Sequence, residues 1–229
     1  MKLIYEGKTK DVFELNDGTI QLKFKDDVTG EDGQFDPGAD TVSLTIEGAG
    51  LSALKMTTYF FEKLKEVDIR THYIKADFAD RSLYVKPALM FGDGLEFICR
   101  YRAVGSFYRR YGAYCEEGQV LDSLVEVTIK DDERGDPPIS KEALVQLGIL
   151  TEKEYDILYR LTKEISHLVK EELSKRDLEL YDIKLEFGRD KATKEIMLID
   201  EISGGNMRVY DQEGTYLPPL ELEKRILTE

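Results

Sequence analysis

Tyr181-Asp182-Ile183-Lys184-Leu185-Glu186-Phe187 alternates apolar and polar residues without a break. That period of two is the mark of a β-strand, because successive side chains leave a pleated strand on opposite faces. Asp182, Lys184 and Glu186 therefore share one face. Residues 195–201, Glu-Ile-Met-Leu-Ile-Asp-Glu, form a second acidic strand after a polar turn. Symmetric pairing about 188–194 puts Asp200 opposite Asp182, with Ile196 and Leu198 beside the carboxylates. Two readings stay open: a half-exposed hairpin with a solvated polar face, or carboxylates gathered as hard oxygen ligands for Mg²⁺ beside an apolar pocket wall.

Working outward, Thr151-x-x-Glu154 is a capping box that opens a helix to about residue 175, with Ile157, Leu161, Ile165, Leu168 and Leu173 as its expected buried stripe. Such a stripe must cover a sheet. Strands are expected at 82–86, 96–102 and 124–130, followed by a polar loop carrying Asp136-Pro137-Pro138. Near the N-terminus, strands at 3–6, 11–15 and 20–25 are joined by a Gly7-Lys8-Thr9 turn and an Asn16-Asp17-Gly18 hairpin signal. A loop over 26–40 follows, then an amphipathic helix over 51–67 and, after the acidic strands, an irregular tail with Pro218-Pro219. The mixed order of elements implies an α+β fold rather than a doubly wound parallel sheet. Two lobes are expected, 1–88 with antiparallel strands and 89–229 with the larger α+β part.

With 229 residues, 41% of them hydrophobic and 34% charged, the whole chain has the composition of a folded protein. Its net charge of -14 and pI near 4.8 oppose a nucleic-acid partner, because phosphate backbones attract clustered cations. No apolar run approaches the roughly 20 residues of a membrane helix, and the N-terminus is charged too soon for a signal peptide, so a cytosolic address is expected. Cys99 and Cys115 form no C-x-x-C pair and are read as free thiols, and His72 and His167 as solitary histidines with ordinary packing or surface roles.

Three further motifs carry chemistry. Glu6-Gly7-Lys8-Thr9-Lys10 lies between two strands, where glycine admits a close phosphate and Lys8 and Lys10 point the same way. Position 2 is lysine, so this is no Walker loop. Residues 100–110 concentrate four arginines around Gly105-Ser106, a combination suited to a phosphorylated substrate: guanidinium forks plus the N–H groups opening a short helix. Salt bridges to an acidic surface explain the same cluster equally well. Gly48-Ala49-Gly50-Leu51-Ser52-Ala53 matches G-x-G-x-x-A, but no parallel βαβ series follows, so a dinucleotide-dependent oxidoreductase is a remote reading.

Taken in order, Tyr5-Glu6-Gly7-Lys8-Thr9-Lys10, Arg100-x5-Ser106, Lys130-x5-Asp136-Pro137, Asp182 to Gly188 and Asp200-Glu201-Ile202-Ser203 resemble the SAICAR synthetase family. The resemblance implies a two-lobed α+β fold related to ATP-grasp enzymes and kinases. It also implies an ATP- and Mg²⁺-dependent ligation of L-aspartate to carboxyaminoimidazole ribotide in purine biosynthesis. By the same resemblance Gly7, Lys8 and Lys10 contact ATP phosphates, and Glu186 and Asp200 hold Mg²⁺. Arg100, Ser106, Arg208 and Asp32 bind substrate, while Lys184, Asp182 and Lys130 line the reacting centre. Small-molecule partners are implied, with a homodimer left open. The family pattern Asp-Glu-x-Ser-Pro-Asp-x-x-Arg is here Asp200-Glu201-Ile202-Ser203-Gly204-Gly205-Asn206-Met207-Arg208, so Gly205 stands at the second acid and Asn206 one position later. A paralogous ligase for another amine, and a non-catalytic nucleotide sensor, are the alternatives that this change leaves.

Overall fold

Short apolar runs broken by charged turns shape the N-terminal part of the computed structural model, which describes residues 1–31, 34–37 and 41–228. Strands β1 (Lys2–Glu6), β2 (Lys10–Glu14) and β3 (Ile20–Phe24) form the expected meander. Next come β4 (Asp27–Glu31), β5 (Gln34–Phe35), β6 (Val42–Thr45), helix α1 (Ala49–Glu66), β7 (Tyr73–Asp77) and β8 (Ser82–Val85). One antiparallel sheet has the order β1-β2-β3-β8-β7, and a second runs β5-β4-β6. The stretch expected to be a loop over 26–40 is thus partly strand. Its threonines help to fix it: Thr29 Oγ1 donates to the Asp36 carbonyl and Thr41 Oγ1 to the Gly30 carbonyl, at 3.0 and 2.9 Å. Asp32 lies outside the described residues.

Leu54, Met56, Phe60, Phe61 and Leu64 are fully buried and make α1 the core helix of this sheet. Its start is built by tertiary contacts. Gly48, at the N-cap, has no side chain to accept the first N–H groups, and Asp26 does so from 24 residues away: Oδ1 accepts Gly50 N–H at 3.0 Å and Oδ2 accepts Arg81 Nη1 at 2.8 Å. Burial works against the Asp26 charge, yet the Gly50 N–H and the Arg81 guanidinium hold its carboxyl below the usual range. A Cβ on Gly50 would sit 2.5 Å from the Lys25 carbonyl oxygen. Gly48 and Gly50 therefore serve the helix start and a backbone crossing, and β4 pairs antiparallel with β6, so the G-x-G-x-x-A match builds no dinucleotide site.

The next elements are β9 (Ala88–Met90), β10 (Leu95–Arg102), α2 (Gly105–Tyr111), β11 (Val120–Ile129), α3 (Lys141–Gln146) and α4 (Glu152–Ser174). They are followed by β12 (Leu178–Asp190), β13 (Ile196–Ile199), β14 (Met207–Asp211) and α5 (Pro219–Leu227). The chain divides into two compact units: one holds Met1–Leu89, Gly188–Asn206 and Leu217–Glu229, the other Met90–Phe187 and Met207–Tyr216. The division after residue 89 lies close to the expected lobe boundary, but two later segments return to the first unit. One of them is α5, in the tail expected to be irregular. Pro219 at its first turn and the Leu222–Ile226 spacing are the signals for it, and Ser52 Oγ of α1 donates to the Pro219 carbonyl at 3.3 Å.

In the second unit β10 pairs antiparallel with β11 on one side and β12 on the other, and β14 adds to the far edge of β12. Phe97, Cys99, Ile183, Leu185 and Phe187 supply the apolar face, on which Tyr155 of α4 reaches the Phe97 ring at 6.2 Å between centroids. The capping box at Thr151 is present as read. The buried stripe of α4 keeps the expected Ile165 and Leu173 but takes Leu158, Thr162 and Val169 in place of Ile157, Leu161 and Leu168. Thr162 tolerates that position because its hydroxyl donates to the Leu158 carbonyl at 2.8 Å.

Candidate active site

The strand that decides the fold carries its charges on a face that is not solvated: Asp182 is 3% exposed and Glu186 7%. Register explains how such charges are kept. Arg100, Ile98 and Glu96 of β10 lie directly opposite Asp182, Lys184 and Glu186, and Arg208 of β14 lies opposite Asp182 on the other edge. The expected neighbour of Asp182 was Asp200. Both edges of β12 at this point are instead taken by arginines, because β10 and β14, rather than the returning acidic strand, pair there.

Two ion networks follow. Arg100 donates through Nε to Glu126 Oε2 at 2.5 Å, through Nη1 to Asp182 Oδ2 at 2.8 Å and through Nη2 to Ser106 Oγ at 3.0 Å. The same Asp182 oxygen accepts Arg208 Nη1 at 2.7 Å, and Glu126 Oε1 accepts Arg110 Nη2 at 2.6 Å. Residue 105 sits at the start of α2 with φ +57, and a Cβ there would lie 2.7 Å from the Arg208 guanidinium, so glycine keeps that arginine in place. In the second network Lys184 Nζ donates to Glu96 Oε1 at 2.6 Å, Thr128 Oγ1 donates to Glu96 Oε2 at 2.9 Å, and Lys130 Nζ donates to Glu186 Oε1 at 2.8 Å. Burial opposes the Lys184 charge, but Glu96 and Glu186 outweigh it and raise its pKa. Arg100, Ser106, Arg208 and Asp182 are thus brought together, as are Lys184, Lys130 and Glu186.

The first unit assembles a separate group. The Gly7 N–H donates to the Lys10 carbonyl at 2.9 Å, closing the turn that carries Lys8. Lys10 Nζ then reaches Asp200 Oδ1 at 3.1 Å and Glu201 Oε1 at 2.5 Å. Burial works against that ammonium, yet the two carboxylates hold its pKa above the ordinary lysine value. Glu201 Oε2 accepts Ser203 Oγ at 2.7 Å, and Ser203 Oγ accepts Gly205 N–H at 2.9 Å. The Asn206 amide closes this turn, accepting Ser203 N–H at 2.9 Å and donating to the Glu201 carbonyl at 2.6 Å. His72 is 4% exposed and its Nε2 lies 3.2 Å from the Asp200 carbonyl. Burial pushes this imidazole down to about 4.

Glu186 belongs to the second unit and Asp200 to the first, so each carboxylate takes its geometry from its own network. Among the described residues no three His, Cys, Asp or Glu side chains gather into a metal-binding group. Sequence reasoning missed Glu96, Glu126, Glu201 and His72. For Glu96 a signal existed: it is the lone acid within a strand otherwise rich in apolar and aromatic residues, a placement that calls for a buried cation.

Antiparallel sheets with packed helices, carrying buried lysine–carboxylate and arginine–carboxylate networks, define an α+β protein. The SAICAR synthetase family model matches residues 3–227, and the chain belongs to that family. It is 65% identical to a phosphoribosylaminoimidazole-succinocarboxamide synthase of Clostridium tetani, over 99% of this chain and 100% of that protein. A Finegoldia magna protein of the same name is 38% identical over 93% and 87%. Among solved structures, a SAICAR synthetase in complex with ADP superposes with a TM-score of 0.86 at 29% identity, covering 98% of this chain and 97% of that one.

Proposed function

We infer that this chain is an ATP-dependent carbon–nitrogen ligase that joins L-aspartate to carboxyaminoimidazole ribotide, forming SAICAR in purine biosynthesis. The observation that carries this is the 65% identity to a synthase of that name across the full length of both chains. A likeness to an ADP-bound relative supports nucleotide binding.

A carboxylate is a poor electrophile, so its oxygen first attacks the γ-phosphorus of ATP and ADP leaves. The aspartate amine then attacks the carbonyl carbon of the acyl phosphate, loses a proton, and phosphate departs. The protein's work is positioning and neutralising charge. Gly7, Lys8 and Lys10 face the ATP phosphates. Ser106 and Arg208 grip the ribotide phosphate, with Arg100 locking them to Asp182 and Glu126. Lys130 and Lys184 steady the negative charge that develops at the carboxylate. The donor chemistry fits Mg²⁺: Glu186 and Asp200 offer hard anionic oxygens, each already facing a cation, Lys130 or Lys10. Each would serve as a ligand for Mg²⁺ from within its own unit, and the ion would supply charge neutralisation at the phosphates.

The test is ADP release by the purified protein with ATP, Mg²⁺, the ribotide and L-aspartate, each omitted in turn. Turnover should require all four; release of ADP without dependence on aspartate would refute the ligase reading. Glu186→Gln and Asp200→Asn should each lower turnover by about 100-fold or more with the fold intact, as loss of a metal ligand worth several kcal/mol demands. Near-normal turnover in either would remove that residue from the metal site.

A further inference from the structure

We propose that His72 is a positioning residue: its Nε2–H holds the Asp200 carbonyl and thereby turns two consecutive carboxylates, Asp200 and Glu201, toward one cationic site. The proposal rests on the reading of Asp200 as a Mg²⁺ ligand.

In an extended strand, side chains at successive positions point to opposite faces. Asp200 and Glu201 follow β13 directly, yet both reach the same Lys10 ammonium, at 3.1 and 2.5 Å. Backbone geometry reconciles the two facts. Asp200 has φ +63, the left-handed region that a residue with a Cβ adopts at a cost of about 1–2 kcal/mol. That twist breaks the strand alternation and brings the two carboxylates to one side. Such a conformation persists only where its surroundings fix it, and the carbonyl of this same residue is the one that His72 engages at 3.2 Å. A carbonyl oxygen can only accept, so the proton sits on Nε2.

The residue that carries the imidazole is itself held in place. Its backbone N–H donates to the Leu198 carbonyl at 2.9 Å and its carbonyl accepts Lys86 N–H at 2.7 Å, while Phe61 packs edge-on to the ring at 5.7 Å. A donor on a backbone tied at both its N–H and its carbonyl, with its ring packed against Phe61, can set the direction of a left-handed peptide. This is the chemistry of an outer-shell partner, whose loss lowers metal affinity about 10–100-fold in general.

The experiment measures ADP affinity by calorimetry with Mg²⁺ and with EDTA; the ratio is the Mg²⁺ increment. His72→Phe keeps a ring against Phe61 but removes the donor, and should reduce the increment about 10-fold or more while ADP affinity in EDTA stays near wild type. His72→Gln restores an N–H near the same place and should recover most of the increment; equal loss in the folded Gln and Phe variants would overturn the proposal, as would an unchanged increment in either His72→Phe or, should that variant not fold, His72→Leu. Asp200→Asn separates the two layers. If it keeps the increment, the metal reading of Asp200 falls and the proposal with it; if it loses the increment while His72→Phe keeps it, only the role of His72 is overturned.

Discussion

Gly105→Ala tests the arginine network with a single methyl group. At φ +57 an alanine pays the left-handed penalty of about 1–2 kcal/mol, and its Cβ lands 2.7 Å from Arg208 Nη2 and 2.8 Å from Cζ. Carbon and nitrogen normally rest well beyond 3 Å apart, so the guanidinium must move by several tenths of an ångström or more, which disturbs its 2.7 Å contact with Asp182 Oδ2. A hydrogen bond to a charged group is worth about 1.5–3 kcal/mol, so losing Arg208 from the ribotide phosphate corresponds to about a 10–100-fold rise in KM for the ribotide. KM for ATP should not change. Gly118→Ala is the control: its φ is +75, with nothing within 4 Å of the added Cβ. It should show the backbone penalty alone, a drop of about 2–4 °C in Tm for each kcal/mol, with unaltered ribotide kinetics. Steady-state initial rates over a ribotide titration, with thermal melts of both variants, provide the measurement. If the two variants share the wild-type ribotide KM, Arg208 does not bind the phosphate as reasoned.

Two predictions concern the N-terminal unit. Gly50→Ala places a Cβ 2.5 Å from a main-chain carbonyl that cannot step aside, and should destabilise the fold by more than the ~1 kcal/mol typical of a point mutation, read from denaturant midpoints. Asp26→Asn should cost about 1 kcal/mol at pH 7 through the weakened helix cap and the lost Arg81 pair. Because the Asp26 pKa is lowered by folding, its contribution is present above the ordinary carboxylate value near 4 and fades as pH falls through the folded one, so the Tm gap between variant and wild type should close in acid; a gap that widens would contradict the cap.

Most secondary structure was legible in local pattern. The alternation at 181–187, the capping box at Thr151 and the period of 51–67 each became an element close to the expected bounds, because single-strand and single-helix periodicities are local properties. The candidate site was legible as residue types. Arg100 with Ser106, Lys184 with Glu186, and the lysine turn all take part in the networks found, while Asn206 closes its own turn. Their partners were not legible. Glu126 is 26 residues from Arg100, and Lys10 is 191 from Glu201.

The sequence by itself thus determined which faces are apolar, where helices begin, and that carboxylates, lysines and arginines gather in a few short segments. Only the tertiary structure decided which strands lie beside Asp182, for β13 pairs with β12 as expected but further along the strand. Pairing by symmetry about a turn is a local argument, whereas the neighbours at Asp182 are chosen by burial: a face holding Asp182 and Glu186 out of water needs cations, and β10, β14 and the residue that follows β11 bring Arg100, Arg208 and Lys130. The contact of His72 with the carbonyl of the left-handed Asp200 was likewise beyond any reading of neighbours in sequence, because the two residues lie 128 apart.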